Sequence, residues 1–238
     1  KIVISFILAN CLVLNISTAI TREITNPQGL MLGARGISLG ATPIISADIS
    51  NSIYNAASIS DMDDFSFSIT QQKLFNEINY LVLSAGHSKT MKYKKQNEYI
   101  RKKIFYSLSY GNISVDDIEK TIEYDGLPYK TGSVFSAGYH VAHLAAATNF
   151  YDVLTFNKLS MGIAFKSIYQ YIDSVNGTTV GLDIGAIGKR YINYKFIDSF
   201  EIALAVHNLI TPRIKLSTTG NESVIPINFI LGFKLSLL

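Results

Sequence analysis

The sequence predicts an all-β protein, an antiparallel β-barrel that crosses a membrane with its strands. Apolar residues make up 48% of the chain and the mean hydropathy is +0.23, which is high for a soluble domain. After the first 19 residues no apolar run is long enough for a membrane-spanning helix. After Asp64 the apolar residues recur with period two, as strands require. A secreted β-sandwich also alternates, so that class stays open.

The first 19 residues, "KIVISFILANCLVLNISTA", predict a secretory signal peptide. They begin with a lysine, continue through an apolar stretch that Asn10 interrupts, and reach small residues before a predicted cleavage after Ala19. Cys11, the sole cysteine of the chain, lies in this segment, so the mature chain would have no disulfide. Lipidation of Cys11 is an alternative, because "LANC" loosely resembles a lipobox.

Charge excludes one class of partner. Removing the predicted leader takes one lysine from 21 basic residues, which leaves 20 against 18 acidic ones, a net charge of +2. Nucleic-acid-binding domains carry a clear basic excess, so we expect no nucleic-acid partner. The chain has no Trp, and its Tyr and Phe residues would have to form any aromatic girdle at a membrane interface.

The alternation predicts eight strands, most of them long. In "PINFILGFKLSLL" the large apolar residues occupy one face, while asparagine, glycine, lysine and serine occupy the other. The segments "SFEIALAVHN" and "LSMGIAFKSIYQY" repeat this arrangement. Strands this long suit tilted spans of a bilayer. The predicted strands are 64–71, 77–88, 103–111, 133–147, 158–172, 178–189, 199–208 and 226–238.

One hairpin gives a predicted register. Asn176-Gly177 is the strongest two-residue signal for a type I′ turn. The apolar pattern on both sides agrees with a turn at this place, and a slip of one residue would move every side chain to the opposite face. The predicted register pairs Val175 with Thr178, Tyr171 with Leu182, Tyr169 with Ile184 and Gln170 with Asp183.

In such a barrel the apolar face meets lipid, and the face of small and charged residues lines an interior. The assignment of individual residues assumes unbroken strands, since a bulge reverses the order. The residues predicted to face the lumen are Lys166, Gln170, Asp183, Glu201, His207 and Lys234.

The stretch "GARGISLGA", followed by "ADISNSIYNAASI", resembles the N-terminal signature of FadL-like outer-membrane proteins of the PorV/PorQ type. The last element of that signature reads Asn55-Ala56-Ala57-Ser58 here and lacks the family's Pro and Gly. "TTVGLDIGAI", "IALAVHNLITPRIKL" and "VIPINFILGFKL" are similar to the family's late strands, in the same order. The resemblance therefore covers most of the mature chain.

With residues 1–19 as the predicted signal peptide, the resemblance implies a location in the outer membrane and a division of the rest into 20–62 as an inward hatch and 63–238 as barrel strands. Glycines permit the close approach that a segment inside a barrel needs, and its polar side chains would bond to the wall. A surface turn cluster before the first strand is the alternative. The predicted hatch residues are Gly33, Arg35, Gly36, Gly40, Asp48, Asn51 and Asn55.

A size conflict follows, because a closed barrel of eight strands has room only for its own side chains. The family's barrels are larger. We therefore expect either an incomplete chain or a divergent short member whose hatch sits outside a small barrel. Open strand edges cannot face lipid.

The sequence gives little support for a metal site, a lipid-binding basic segment or a catalytic site. His140 and His143 would point to opposite faces of a strand, and "DMDD" at 61–64 lacks the spacing of a calcium loop, so we expect no metal. The basic stretch "KYKKQNEYIRKK" at 92–103 is interpreted as a solvated loop, or one that contacts anionic headgroups. No catalytic motif or triad pattern occurs, so neither an enzyme nor a cofactor is expected.

The resemblance implies passive transport of small hydrophobic molecules, of the long-chain fatty acid class, with membrane lipid around the barrel. The first alternative is a PorV-like accessory that binds exported proteins through loops near 112–132 and 210–225. The second is a purely structural barrel. Function in such folds lies in lumen and loops, so the strand pattern does not separate the three.

Overall fold

The computed structural model describes residues 12–17, 43–45, 48–74, 77–95, 98–194, 196–215 and 222–237. The protein is all-β, with three short 3-10 helices at Pro43–Ile45, Ile49–Asn51 and Ala56–Asp61. In these ranges no helix has the length and apolar character needed to cross a membrane. The strands are β1 (Leu12–Ser17), β2 (Phe65–Leu74), β3 (Ile78–Lys95), β4 (Glu98–Tyr124), β5 (Leu127–Val153), β6 (Phe156–Ile172), β7 (Val175–Tyr194), β8 (Ile197–His207), β9 (Arg213–Lys215), β10 (Glu222–Val224) and β11 (Asn228–Leu237).

Nine strands form one antiparallel sheet that curls as a half-barrel, in the order β1-β11-β8-β7-β6-β5-β4-β3-β2. From β2 to β8 each strand pairs with the next along the chain, and β11 then pairs with β8. Strands β9 and β10 form a separate two-stranded ladder. The eight strands predicted from the alternation are all present, so the all-β antiparallel prediction is confirmed.

Two predicted loops are wrong. β4 and β5 each run for 27 residues and meet at a turn at Asp125-Gly126, so residues 112–132 form the far end of a strand pair. In the same way most of the basic stretch 92–103 lies in β3 and β4. A two-stranded ribbon pairs its backbone whatever its side chains are, and where both faces are polar no alternation marks it.

The predicted loop at 210–225 contains β9 and β10, and it is also packed against the sheet. Ile214 and Ile225 are each 1% exposed and form a cluster with Tyr139, Val141 and Ile168 of the sheet. This small ladder therefore covers one end of β5 and β6.

The predicted turn at Asn176-Gly177 is wrong. The hairpin turns at Asp173-Ser174, where Asp173 has φ 54°, and Ile172 pairs with Val175. Gly177 lies inside β7, where a Cβ would come within 2.7 Å of the carbonyl oxygen of Lys215. This glycine is therefore required by the approach of β9.

The observed register differs from the predicted one by six residues. Leu182 pairs with Phe165, where Tyr171 was predicted. Because six is an even number, every side chain keeps its predicted face. The β6–β7 ladder has no register shift, and the shift between β7 and β8 lies beyond Tyr191.

The two faces of the sheet differ in what covers them. The inner face is defined here as the face against which residues 43–62 lie, and the outer face is the opposite one. Ala145, Ala164 and Ala203 on the inner face are each at most 1% exposed. On the outer face one continuous row crosses five strands, and its large members are more than half exposed: Phe67, Leu108, Leu144 and Phe165.

The sheet has two free edges, at β2 and at β1. β1 lies within the predicted signal peptide, and its residues 12–17 pair with β11. The rest of that peptide lies outside the described residues, so the cleavage site stays a prediction. Phe65, Phe67 and Ile69 of the β2 edge are 61 to 69% exposed.

The register of the β6–β7 hairpin can be tested with a disulfide, in a Cys11→Ser background that leaves no other thiol. Tyr169 lies directly opposite Thr178, so a Tyr169→Cys/Thr178→Cys pair has the roughly 4.5 to 5.5 Å Cα separation that a disulfide needs. We expect oxidation to lower the mass by two hydrogens.

The control is Tyr169→Cys/Ile184→Cys, the pairing that a turn at Asn176-Gly177 would give. Ile184 pairs with Ile163, six residues from Tyr169, which is about 20 Å along the strand. We expect no intramolecular disulfide there, and efficient bonding in the control alone would contradict the observed register.

Candidate functional site beneath the inner segment

The inner segment comprises residues 43–62, described at 43–45 and 48–62. Two of its predicted hatch residues cap its own helices: Asp48 Oδ1 accepts the Ser50 N–H at 3.0 Å, and Asn55 Oδ1 accepts the Ala57 N–H at 2.9 Å. Such side chains favour turns over strands because they bond to nearby backbone. This explains why the segment breaks the strand pattern.

The inner segment is among the most buried parts of the molecule. Ile53, Tyr54, Ala57 and Ile59 are each at most 1% exposed. Asn51 is fully buried, and its carbonyl accepts the backbone N–H groups of Tyr54 at 2.9 Å and Asn55 at 3.0 Å. The segment therefore forms the centre of the core together with the inner face of the sheet.

Glycines on the wall allow this close approach. A Cβ at Gly185 would overlap Asn55 Oδ1, and one at Gly162 would overlap the backbone carbonyl of Ala56. The glycines predicted to have this role were those of the segment itself. Those residues, Gly33, Gly36 and Gly40, lie outside the described residues together with Arg35.

Hydrogen bonds join the inner segment to β3, β4, β5 and β8, in addition to the Lys158–Asp61 pair with β6. Ser52 Oγ lies 2.6 Å from Ser109 Oγ of β4, and Tyr54 OH lies 2.6 Å from Tyr80 OH of β3. The segment also accepts two bonds through its backbone, from His207 Nε2 of β8 to the Tyr54 carbonyl at 2.7 Å and from Asn149 Nδ2 of β5 to the Ser60 carbonyl at 2.9 Å.

A buried ion pair lies on the inner face at the centre of the sheet. Lys166 Nζ is 2.8 Å from Asp183 Oδ1 and 3.0 Å from Oδ2. The Asn208 backbone N–H donates to the same carboxylate at 2.8 Å, and His143 Nε2 lies 3.5 Å from it. Lys166, Asp183 and His143 are at most 3% exposed. A pair so far from water is tolerated when its geometry is good and further hydrogen bonds complete it.

The six residues predicted to face a lumen all lie on the inner face, and two contacts join four of them. Lys166 pairs with Asp183, and Lys234 Nζ lies 3.1 Å from Glu201 Oε1. Gln170 is half-buried on β6, opposite Gly177. His207 is 3% exposed beneath Tyr54. Their role in lining a lumen stays a prediction.

A polar cavity of about 150 Å³ lies at one end of the inner face. Lys189 and Lys234 both approach Glu201, at 3.5 and 3.1 Å, while Lys158 pairs with Asp61 of the inner segment. The three lysines and two carboxylates leave one positive charge in excess. The cavity therefore suits an anionic group, such as a carboxylate, next to the apolar Ile45 and Ile187 that also line it.

Ser109, His143 and Asp183 bring together the residue types of a catalytic triad, but they do not form one. Ser109 lies opposite His143 in the β4–β5 ladder, yet its hydroxyl contacts that of Ser52. His143 Nε2 lies 3.5 Å from Asp183 Oδ2, and no hydrogen bond between His143 and Ser109 occurs in the described part of the chain. Nucleophilic catalysis needs the serine, the imidazole and the carboxylate joined in series. In the described residues these three side chains are not joined in that series.

The remaining histidines and acidic residues give no metal centre in the described ranges, where no group of three or more candidate ligands occurs. His140 and His143 lie on opposite faces of β5, as predicted, and His140, on the outer face, stacks on Tyr110 and Tyr171 at centroid distances of 6.0 and 5.7 Å. Asp64 of "DMDD" accepts from the Ser88 hydroxyl at 3.0 Å and lies 3.2 Å from Lys103 Nζ, which together lower its pKa.

Comparison with protein-family models, curated proteins and solved structures gave no match to this chain. The resemblance to FadL-like proteins of the PorV/PorQ type therefore stays a prediction from its motifs. Sequence reasoning missed two buried contributors, His143 and Asn208. Their positions beside Asp183 depend on strand register and on the turn after β8, which no local pattern reveals.

Removal of the buried ammonium tests the ion pair. Lys166→Met would leave the Asp183 carboxylate buried without its counter-charge, and we expect a loss of about 3–5 kcal/mol in the free energy of unfolding. The control is Lys120→Met, which breaks an exposed pair with Asp173 at 2.6 Å and should cost about 1 kcal/mol or less. Denaturant unfolding followed by circular dichroism measures both; equal losses would contradict the assignment.

Adjacent residues of β7 test the contact with the inner segment. Gly185→Val adds atoms where Asn55 lies, and overpacking of this kind costs about 1–3 kcal/mol. Ala186→Val adds the same atom types on the outer face and is the matched control. We expect faster hydrogen exchange at the Ala57 and Ser58 amides in the first variant alone. Equal protection in both would show that the segment is not pressed against this strand.

Proposed function

We propose that this chain forms wall strands of an outer-membrane β-barrel, with residues 20–62 as an inner hatch, and that it admits small hydrophobic molecules of the long-chain fatty acid class. The separation of the two faces carries the proposal. One face exposes large apolar side chains, and the other buries charged and polar groups beneath the inner segment. A barrel in lipid needs this division.

The outer face supports the membrane part of the proposal. A monomeric soluble protein rarely exposes a large contiguous apolar surface, whereas here exposed apolar side chains recur on adjacent strands. They include Phe67, Leu108, Leu144, Met161, Ile163, Phe165, Val180, Ile184, Leu204 and Phe229, each 37 to 62% exposed.

The free edges set a condition on the proposal. The backbone groups of β2 and of the opposite edge would have no partner in lipid, where each unpaired group is costly. We therefore propose that both edges are paired in the membrane. Further strands of a longer chain would do so, and they would also enlarge the barrel enough to hold the inner segment.

The polar cavity suggests how an amphiphilic molecule would be received. Lys189, Lys234 and Lys158 surround Glu201 and Asp61, so an incoming carboxylate would meet a net positive site. The Lys158–Asp61 pair joins the wall to the end of the inner segment. Competition for Lys158 by a substrate carboxylate would loosen that end, and movement of the segment would open a passive path.

A disulfide between segment and wall tests this mechanism. Ser52 Oγ and Ser109 Oγ are 2.6 Å apart, close to the roughly 2.0 Å of a disulfide. We expect Ser52→Cys/Ser109→Cys, in the Cys11→Ser background, to lose uptake of labelled fatty acid by cells when oxidised and to regain it on reduction. The control is the Tyr169→Cys/Thr178→Cys pair, which joins two wall strands and should leave uptake unchanged.

Two outcomes separate the proposals. Uptake that is equal with and without the protein rejects transport, while uptake that continues in the oxidised variant rejects the moving hatch.

The second candidate, a surface partner for an exported protein, is favoured by the exposed far end of the β4–β5 hairpin. Tyr124, Leu127 and Tyr129 there are 62 to 72% exposed. A co-purifying exported protein, together with unchanged uptake, would favour that function.

A further inference from the structure

An apolar groove of about 590 Å³ lies on the outer face, separate from the inner segment and its polar cavity. It crosses β4 to β8, and it is lined by outer-face side chains of these strands and by three small residues of the inner face, Ala147, Gly162 and Gly185. Five adjacent strands at about 4.8 Å spacing span roughly 19 Å. The groove therefore extends across the sheet, which suits an extended chain.

Small residues create the groove. Ala146 and Ala186 form its floor together with Gly162 and Gly185, the glycines that the inner segment requires. Because these positions have little or no side chain, Asn55 and Ala56 approach the sheet closely on the inner face, and a depression remains on the outer face. Larger side chains flank this floor, with Phe150 of β5 toward one end, Leu204 of β8 at the other end, and Met161 and Ile163 of β6 between them.

A cation lies at one end of the groove. Lys102 is among the lining residues, and its Nζ lies 4.2 Å from the centroid of the Phe150 ring. Lys89 shares this face, because it pairs with Ile104, another lining residue. No described carboxylate forms an ion pair with either lysine, whereas Lys103 on the opposite face pairs with Asp64. The end of the groove therefore carries positive charge that the described protein does not neutralise.

We propose that this groove binds an acyl chain of an anionic phospholipid, with the headgroup phosphate at Lys102 and Lys89. The depression takes the chain, and the two ammonium groups supply the charge that complements the phosphate. Long lysine side chains at the end of a membrane span reach the headgroup region in this way. The inference rests on the outer face meeting lipid, as proposed above, and it requires neither transport nor a moving hatch.

The absence of tryptophan makes a clean assay possible. Phe150→Trp places a single fluorophore at the charged end of the groove, and Phe67→Trp places one on the outer face of β2, outside it. The full chain in uncharged detergent micelles is titrated with brominated phosphatidylglycerol, brominated phosphatidylcholine or a brominated fatty acid. We expect phosphatidylglycerol to quench Phe150→Trp at several-fold lower concentration than the other two, and to show no such preference at Phe67→Trp.

Two further variants and one control separate the contribution of the charge from that of the depression. Adding Lys102→Gln should weaken the preference for phosphatidylglycerol about fivefold, the effect of one lysine near an anionic headgroup, whereas Lys120→Gln, on the β4–β5 ribbon, should not. Ala186→Phe fills the floor and should abolish saturable quenching by every lipid, with circular dichroism confirming the fold.

Equal quenching by phosphatidylglycerol and phosphatidylcholine, or an equal preference at Phe67→Trp, would overturn the inference. Stronger quenching by the fatty acid would overturn the assignment to a phospholipid. Because the assay uses micelles and no uptake, its failure is distinguishable from failure of the transport proposal.

Discussion

The structure depends on the cover that residues 43–62 provide for the inner face of the sheet. That face holds Lys166 and Asp183 away from water, and an isolated charge in such a place would be severely destabilising. The segment can pack closely against the sheet because Gly162 and Gly185 have no side chains at the points of contact. The charge pair, the small wall residues and the buried segment therefore lie together on one face of the sheet.

The strands could be predicted because a sheet with one covered face and one open face leaves a period-two record in its sequence. The register could not be predicted, because Asn176-Gly177 is a strong turn signal whose glycine serves another contact, the approach of β9 to the sheet. The error did not change the faces, since the shift was even. The far ends of β4 and β5 were missed because both faces of the strands meet solvent there. Without one buried face and one exposed face, apolar and polar residues do not alternate, and no strand is predicted.

The face of the sheet on which the site residues lie could be predicted from the sequence, but the contacts between them could not. Alternation places Lys166 and Asp183 on the same side, but their contact depends on the register: Ala164 lies opposite Asp183, which brings Lys166 to the diagonal position. The predicted register put Gln170 directly opposite Asp183 instead. His143 and Asn208 join the cluster from a neighbouring strand and from the turn after β8, so their contribution follows from tertiary structure alone.

The length of the β4–β5 ribbon has a consequence for how the molecule would stand in a bilayer. At about 3.4 Å per residue, 27 residues extend for roughly 90 Å, and a 45° tilt still leaves about 65 Å along the normal. A bilayer with its headgroups is about 40–45 Å thick. The ribbon would then project into one aqueous compartment by some 20 Å or more. Binding of an antibody to its tip, or cleavage there by a protease added from one side, would report which compartment that is.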